Sequence, residues 1–557
     1  MKGRRLDRIR RKGRWLAVAA LAPVAALSAV LLMSHLRQAE APGLRWQPSP
    51  LEEGRSLGQD TEMHSVAPVV RVDSVTQQGE PGALATEMNI HLSPGEMLAG
   101  RMILDLPALN RAMRAGSSAR VALRFPIAPG RGAIAELSGP VTLADDGASW
   151  QAKGSISGMP ESRVVLTKWK DRIFGTVHAL AEGEFEWRQQ NDGSLAVVRF
   201  EPALLPDCEE DADGLSDEDE GELAAPSADA PSPTSTAREV AAGKSYVDVV
   251  VGYNEQARVS VGGHPANSED VAAIETKILT AVANANTAYK DSAIDLEMRL
   301  AWLGPIAYNY PLTESLDRAL DEIEDPDDGR ADELSRKKEE YGADFACLWI
   351  DSSVSGGNAS VITSQFWSGR AYSLVRAKNP TATFVHEIGH NMGCRHLRDG
   401  YTGTPSSWKP YAFARLFTAG DAKKYVTVMA STDDQSRTGA AARLLRFSNP
   451  RVTYLGTPTG VADDTDCARS LEEIRPLLEH FRPTRALESG ITGSAASLRV
   501  SLGKGFVGKS YSLSRSRDLN TWTVLGTNTT DSTGALSRSD TGARTFPKAF
   551  YQWRAVP

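Results

Sequence analysis

The residues with the clearest capacity for chemistry lie in the stretch HEIGHNMGCRH at positions 386–396. His386 and His390 are four residues apart, so a helix places them on one face, where both can reach a single metal ion. Glu387 lies beside the first histidine, where its carboxylate can accept a proton from a water on that metal without binding the ion. Gly393 can adopt the left-handed conformation that ends a helix, which lets the chain turn back and supply His396 as a third nitrogen ligand. Three neutral imidazoles leave one tetrahedral position for water, as in a catalytic zinc site.

This motif resembles that of the metzincin zinc endopeptidases, and most closely their adamalysin (reprolysin) branch and its bacterial relatives. The family has a methionine turn beneath the zinc, and here Met429 in the segment YVTVMAS follows the zinc motif. The resemblance covers about residues 243–485. It implies an α/β metzincin domain with a twisted mixed sheet, zinc as cofactor and a protein or peptide substrate. One departure is Leu397, which stands where the family usually has an Asp that anchors the helix.

The resemblance also implies a mechanism and a binding strand for the substrate. Zinc would polarise the scissile carbonyl and lower the pKa of its water, and Glu387 would carry the proton to the leaving amine. In family members, an edge strand upstream of the zinc helix binds the substrate peptide by strand addition. By position, Ala359, Ser360 and Val361 form the candidate strand. An ordinary loop and strand is the alternative interpretation of that segment.

Sequence patterns around the motif predict the elements that position it. They indicate a buried strand at 246–251, a helix at 268–288, strands at 296–302 and 344–350, and a helix over 315–341. Strands that alternate with helices are typical of a sheet flanked by helices.

The blocks outside this domain differ in composition. Residues 1–36 combine a basic start with a long apolar stretch, which indicates an export signal or an N-terminal membrane anchor. Residues 37–206 alternate as β-strands do, and they are weakly similar to adamalysin-type prodomains, which keep the enzyme latent. Residues 207–242 are acidic and rich in Pro and Ser, which predicts a linker. Residues 486–557 predict a small all-β sandwich module with an accessory role.

The acidic linker contains a candidate calcium loop. Its oxygen donors follow the spacing of an EF-hand loop and also resemble the thrombospondin type 3 calcium loop. The candidate ligands are Asp211, Asp213, Asp217 and Glu220. A disordered acidic tether without calcium is the alternative.

The four cysteines suggest two further roles. Cys208 lies between the prodomain-like block and the catalytic block, where its thiolate could occupy the open zinc position until proteolysis removes it. A cysteine that is simply free or bridged is the alternative. Cys347, Cys394 and Cys467 all lie in the catalytic block. In an exported protein one pair of them is expected to be oxidised, and the sequence leaves the pairing open.

Composition limits the classes of function. A chain of 557 residues with 41% hydrophobic and 24% charged residues is a multidomain globular protein. Its net charge of −8 argues against nucleic acid as a partner. No assembly motif stands out, so a monomer is expected.

The predicted function is therefore an exported zinc endopeptidase made as a zymogen. Secreted, periplasmic and cell-surface locations all fit this prediction. A catalytically silent metzincin-fold protein that serves binding or adhesion at the cell surface is the alternative. The intact Glu387 favours the enzyme, because a binding protein has no need to keep it.

Overall fold

The computed structural model of the chain describes residues 69–71, 74–77, 85, 87–88, 90, 92–114, 120–128, 130–143, 149–210, 243–361, 370–398, 409–437, 439, 441–478, 481, 488–494, 497–517, 521–543 and 549–556. The predicted signal or anchor segment and the four candidate calcium ligands lie outside these ranges. Within them, every helix is too short or too polar to span a bilayer. From Val66 onward the chain forms one compact unit.

The N-terminal part of this unit is a ten-stranded sheet, as the alternating sequence predicts for a β-rich block. Its strands are β1 (Val69–Arg71), β2 (Ser74–Gln77), β3 (Glu96–Leu104), β4 (Arg120–Ala128), β5 (Arg131–Thr142), β6 (Trp150–Ile156), β7 (Met159–Trp169), β8 (Arg172–Leu180), β9 (Gly183–Gln189) and β10 (Leu195–Phe200). The order is β1-β4-β5-β6-β7-β8-β9-β10-β3-β2, and the strands are antiparallel except for the β1–β4 pair. A helix, α1 (Leu106–Arg114), packs its buried Leu109 and Met113 into the core of this sheet.

The central sheet of the second part has six strands. They are β11 (Cys208–Glu210), β12 (Ser245–Tyr253), β13 (Leu296–Pro305), β14 (Phe345–Ile350), β15 (Gly357–Ala359) and β16 (Tyr372–Arg376). The order is β11-β15-β16-β14-β12-β13. Strands β12, β13, β14 and β16 are parallel, and β15 runs antiparallel to β16. The middle strands read as continuous apolar runs because both faces are covered by helices.

Helices cover both faces of this sheet, which confirms the α/β prediction for the domain. They are α2 (Glu255–Ser260), α3 (Ala272–Asp291), α4 (Leu316–Glu324), α5 (Asp332–Tyr341) and α6 (Ala382–Asn391). One buried core joins the sheet to α3 and α6 through residues such as Val249, Ile278 and Val385, and a second joins it to α4 and α5 through Leu320 and Leu334.

Two helix boundaries differ from the prediction. The helix expected from residue 268 begins at Ala272, because the carboxylate of Asp270 accepts a hydrogen bond from the His264 amide and stabilises a turn instead. The single helix expected over 315–341 is two helices, α4 and α5. The break follows from Pro326, since the residue before a proline disfavours the helical conformation, and Asp325 is accordingly extended.

The chain after the zinc motif forms short strands, two helices and a C-terminal β module. The strands are β17 (Arg395–Leu397), β18 (Phe413–Ala414), β19 (Leu416–Thr418), β20 (Lys424–Val426), β21 (Ala442–Arg443), β22 (Thr453–Tyr454) and β23 (Thr457–Pro458), and the helices are α7 (Thr432–Arg437) and α8 (Cys467–Leu478). The last six strands are β24 (Glu488–Ser494), β25 (Ser497–Gly503), β26 (Ser510–Ser516), β27 (Trp522–Thr529), β28 (Leu536–Asp540) and β29 (Phe550–Ala555). They form two three-stranded sheets, as expected for a small all-β module.

Candidate metal centre and active site

Helix α6 carries the first two histidines into the interior of the protein. All ten of its residues are buried, because Phe384, Val385 and Ile388 pack into the core on one side. The opposite side carries His386 and His390, one helical turn apart, as the sequence spacing predicts.

The helix ends at Gly393 in the way the motif predicts. The φ angle of this glycine is +83°, in the left-handed region. The Gly393 amide donates to the His390 carbonyl (2.8 Å) and the Cys394 amide donates to the Gly389 carbonyl (3.0 Å). These two bonds form a Schellman motif, which satisfies the last carbonyls of the helix. The reversal brings β17, and with it His396, back beside the helix.

The three imidazoles converge through their Nε2 atoms. The Nε2–Nε2 distances are 3.0 Å for His386–His396, 3.0 Å for His386–His390 and 3.1 Å for His390–His396. The other ring nitrogens of the first two histidines face backbone carbonyls: Nδ1 of His386 lies 2.9 Å from Val428 O, and Nδ1 of His390 lies 2.8 Å from Cys394 O. A carbonyl oxygen only accepts, so these Nδ1 atoms carry the hydrogens and the Nε2 lone pairs point at one another.

This donor set fits a zinc ion. Burial, together with the neighbouring histidines, holds the pKa of His386 and the pKa of His390 well below the usual value, so both rings are neutral. Neutral imidazoles are the form that binds metal. Tetrahedral zinc at about 2.0–2.1 Å from each nitrogen separates the nitrogens by about 3.3 Å, close to the spacing observed.

Met429 lies beneath this centre, where the resemblance predicts the methionine turn. The residue is fully buried, and its Sδ packs against Gly389 in the last turn of the zinc helix. A Cβ at position 389 would lie 2.3 Å from that sulfur, so only glycine permits this approach.

Glu387 faces the edge of the central sheet. Its side chain is buried, and its Oε1 lies against Gly357 of β15, where a Cβ would be only 2.1 Å away. The carboxylate thus lies between the histidines and the strand expected to bind a substrate. Of the three residues predicted for that strand, Ala359 lies in β15, whereas Ser360 and Val361 follow its end.

The edge of β15 is already paired with β11, at the start of the predicted linker. The two strands are parallel, with Cys208 opposite Gly357. The linker therefore does not begin as a spacer at position 207, because its first residues complete the central sheet. This pairing brings the thiol of Cys208 to the metal centre.

The Cys208 sulfur completes a group of four ligand atoms. It lies 3.4 Å from Glu387 Oε2 and 3.9 Å from His390 Nε2. Cys208, His386, His390 and His396 each offer one ligand atom, and all four atoms lie within 4.8 Å of one another. The structure thus brings together the three predicted zinc ligands, the predicted base and the candidate latency thiol.

Asp207 anchors this segment, a role that the sequence analysis missed. Its Oδ1 accepts hydrogen bonds from the Thr432 amide (3.0 Å), the Thr432 hydroxyl (2.8 Å) and the Asp433 amide (3.2 Å). Its carbonyl accepts a hydrogen bond from the Gly356 amide (2.6 Å). The only sequence signal was an Asp next to the cysteine.

Asp434 was missed as well. Its Oδ2 accepts hydrogen bonds from the Leu397 amide (3.2 Å) and the Ser431 amide (3.2 Å), so it ties the residue after the third histidine to the turn after Met429. This chain therefore anchors that segment with a carboxylate from another part of the sequence.

The comparisons with known proteins address this part of the chain. Residues 243–439 match the model of metallopeptidase family M12, in its reprolysin-like form. This part of the chain is therefore similar to metzincin-type metallopeptidase domains. The zinc motif, the methionine turn and β15 all lie within the matched range.

Curated relatives of the metallopeptidase domain carry the name peptidyl-Asp metalloendopeptidase. One from Pseudomonas aeruginosa is 28% identical over 272 residues, which are 43% of this chain and 41% of the relative. One from Stenotrophomonas maltophilia is 29% identical over 213 residues, 38% of this chain and 48% of the relative. One from Xanthomonas campestris is 24% identical over 333 residues, 59% of this chain and 72% of the relative. The chain thus spans less than half the length of the first two relatives.

Proposed function

We propose that the chain is a zinc-dependent endopeptidase that hydrolyses peptide bonds in proteins. The observation that carries this proposal is the convergence of three histidine Nε2 atoms beside a buried carboxylate, Glu387, at the edge of a sheet. A structural zinc site has no need of a carboxylate that approaches the centre without being a ligand.

The residues divide the work of hydrolysis between them. His386, His390 and His396 would hold zinc, which supplies a Lewis acid that polarises the scissile carbonyl and lowers the pKa of water. Glu387 accepts the proton of the attacking water and delivers it to the leaving amine. Once β11 has left, the edge of β15 would position the substrate backbone by strand addition.

A peptide library assay tests this proposal. The chain is first cut by a protease in the acidic linker and separated from the part that precedes the cut. The remaining protein is incubated with mixed-sequence peptides, and the products are identified by mass spectrometry. We expect cleavage by the wild type, and at least a hundredfold loss in Glu387→Ala with its zinc content unchanged. Glu340→Ala, on the exposed end of α5, is the matched control. Full zinc without cleavage by the wild type would favour the silent binding protein.

The names of the relatives suggest a substrate class. We propose that the peptidase cleaves beside aspartate, as those names state for the relatives. The same library tests this, because the residues flanking each cleaved bond are read directly from the products. Products without enrichment of Asp at one flank would contradict it.

We further propose that the chain is made as a zymogen in which Cys208 blocks the metal centre. Its thiolate would take the fourth zinc position, and β11 occupies the edge that a substrate strand needs. When the segment that carries Cys208 and β11 leaves, the thiol and the covering strand are removed together. Proteolysis in the acidic linker that follows this segment would therefore activate the enzyme.

Contacts between the N-terminal sheet and the metallopeptidase domain support this latency. The sheet packs on α3, where Trp169 Nε1 donates to Glu275 (2.7 Å) and Thr280 donates to Thr167 (2.8 Å). These side chains are buried on both sides. The N-terminal sheet therefore packs closely on α3, and this interface holds the Cys208 segment in place.

Buried ion pairs join the same two regions close to the zinc helix. Lys277 of α3 pairs with Glu186 of β9 at 3.0 Å, and the second oxygen of Glu186 accepts the amide of Thr381 (3.2 Å) just before α6. A negative charge is favourable at that end of a helix. Arg443 pairs with Glu184 at 2.8 Å. Each charge depends on its partner, since a buried charge left alone is strongly destabilising.

We also propose that the chain is exported, on the strength of its basic and apolar N-terminal stretch. A zymogen that requires proteolysis fits an extracytoplasmic enzyme. Fractionation of cells that express the full chain tests this: the protein should be found outside the cytoplasm, and a cytoplasmic pool alone would contradict the proposal.

A further inference from the structure

Two buried cysteines lie against each other just beyond the zinc helix. Cys394 follows the glycine that ends α6, and Cys467 is the first residue of α8. Both side chains are fully buried in the same core, where the Cys394 thiol faces the Cys467 thiol. The structure holds all four cysteines as thiols.

Strand pairing and the hydroxyl of Ser448 hold these two cysteines as neighbours independently of the sulfurs. Arg395, the residue after Cys394, pairs with Phe413 across β17 and β18. The carbonyl of Phe413 accepts the hydroxyl of Ser448 (2.7 Å), and that hydroxyl oxygen accepts the amide of Cys467 (2.9 Å). The network therefore keeps the two cysteine-bearing segments side by side whether or not the sulfurs are joined.

The other two cysteines have different surroundings. Cys347 lies in β14 and is fully buried between its neighbouring strands. Cys208 lies at the metal centre. Neither Cys347 nor Cys208 faces another cysteine in this way, so Cys394 and Cys467 are the pair suited to a cross-link.

We propose that Cys394 and Cys467 form a disulfide. The two thiols lose two protons and two electrons, and one S–S bond forms. A disulfide oxidant, such as oxidised glutathione or a thiol oxidoreductase, is reduced to two thiols. Because both side chains are buried in the folded protein, the bond forms during folding, before the core closes. In the cell this step rests on the proposed export, which places the chain in an oxidising compartment.

The disulfide would restrain the backbone carbonyl of Cys394, which orients the zinc ligand His390. The carbonyl of Cys394 faces Nδ1 of His390 at 2.8 Å and fixes the ring that binds the metal. Tying Cys394 to α8 restrains this carbonyl, so the disulfide is a positioning device for the metal centre. Loss of such an outer contact typically weakens metal binding about tenfold or more.

Disulfide mapping after refolding tests the proposal. The full chain is reduced, refolded in a glutathione redox buffer with zinc, alkylated with N-ethylmaleimide in denaturant and digested without reduction. Mass spectrometry should find one linked peptide pair that contains Cys394 and Cys467, with Cys208 and Cys347 alkylated. Alkylated Cys394 and Cys467, or a link to Cys347 instead, would overturn the proposal.

Two variants test whether the disulfide slows the release of zinc. Cys467→Ala should leave Cys394 alkylated and should release zinc to a chelator about tenfold faster. Cys347→Ala, another fully buried cysteine, is the matched control and should keep both the link and the slow release. An unchanged release rate in Cys467→Ala would overturn the positioning role. The refolding experiment needs neither export nor peptidase activity, so its failure is distinguishable from failure of the proposed function.

Discussion

Replacing Cys208 by alanine should raise the peptidase activity of the intact chain without abolishing its latency, because β11 still pairs with the edge of β15. The substitution removes the sulfur that lies 3.4 Å from Glu387 and within reach of the metal position. It leaves the strand pairing of β11 and the anchor at Asp207 in place. The test is therefore specific to the thiol rather than to the segment that carries it.

The contact between Cys208 and Glu387 sets a lower limit on the expected increase in activity. A hydrogen bond to a charged group is worth about 1.5–3 kcal/mol. Loss of the contact between Cys208 and Glu387 should therefore increase the open fraction by roughly tenfold to a hundredfold, because each 1.4 kcal/mol is a factor of about ten. With zinc bound, the sulfur would instead be a thiolate ligand of the metal, and its loss would act in the same direction. An increase of about tenfold is therefore the smallest expected.

The assay compares the cleavage rates of one fluorogenic peptide by the intact wild type and by intact Cys208→Ala. An internal control uses the same two proteins after nicking of the linker and separation from the N-terminal block, when their rates should be equal. An intact variant as inactive as the intact wild type, with equal activity after separation, would refute the role of the thiol in latency.

Three other changes test neighbouring features. Asp207→Ala removes the acceptor of three hydrogen bonds and should raise the activity of the intact chain about tenfold at unchanged zinc content; no rise would mean that the anchor is unimportant. Burial alone would raise the pKa of Glu184, but the Arg443 guanidinium lowers it to about 2, so this ion pair stabilises the interface above pH 4.5 and loses that effect as the pH falls towards 2. The nicked chain should therefore release its N-terminal block faster in acid, as followed by gel filtration, and Glu184→Gln should lessen the pH dependence; an equal dependence in both would contradict this. Gly389→Ala places a Cβ against Met429 and should cost about 1–3 kcal/mol in the free energy of unfolding, measured by thermal unfolding, with partial recovery on Met429→Ala; an unchanged stability would argue against this packing.

The metal centre was predictable because its signals are local. Four-residue spacing places two histidines on one helix face, and Gly393 supplies the turn that returns the third. The strands at 246–251 and 344–350 were equally clear, since buried parallel strands read as continuous apolar runs.

The contacts that close the site were not predictable, because they join distant parts of the chain. Asp207 meets Thr432 across 225 positions, and Asp434 replaces an anchor that the family places directly after the third histidine. The pairing of β11 with β15 was missed for the same reason: an acidic stretch reads as linker until a sheet edge offers it a partner. The start of α3 was misplaced because an Asp near a helix start can stabilise a turn as readily as a cap.

X-ray absorption at the zinc edge of the intact chain tests the central claim most directly. Three nitrogen ligands at about 2.0–2.1 Å and one sulfur at about 2.3 Å are predicted, with oxygen in place of sulfur once the linker is cut and the N-terminal block removed. Zinc with no sulfur ligand in the intact chain would contradict the latency mechanism, and a chain that binds no zinc would contradict the enzyme itself.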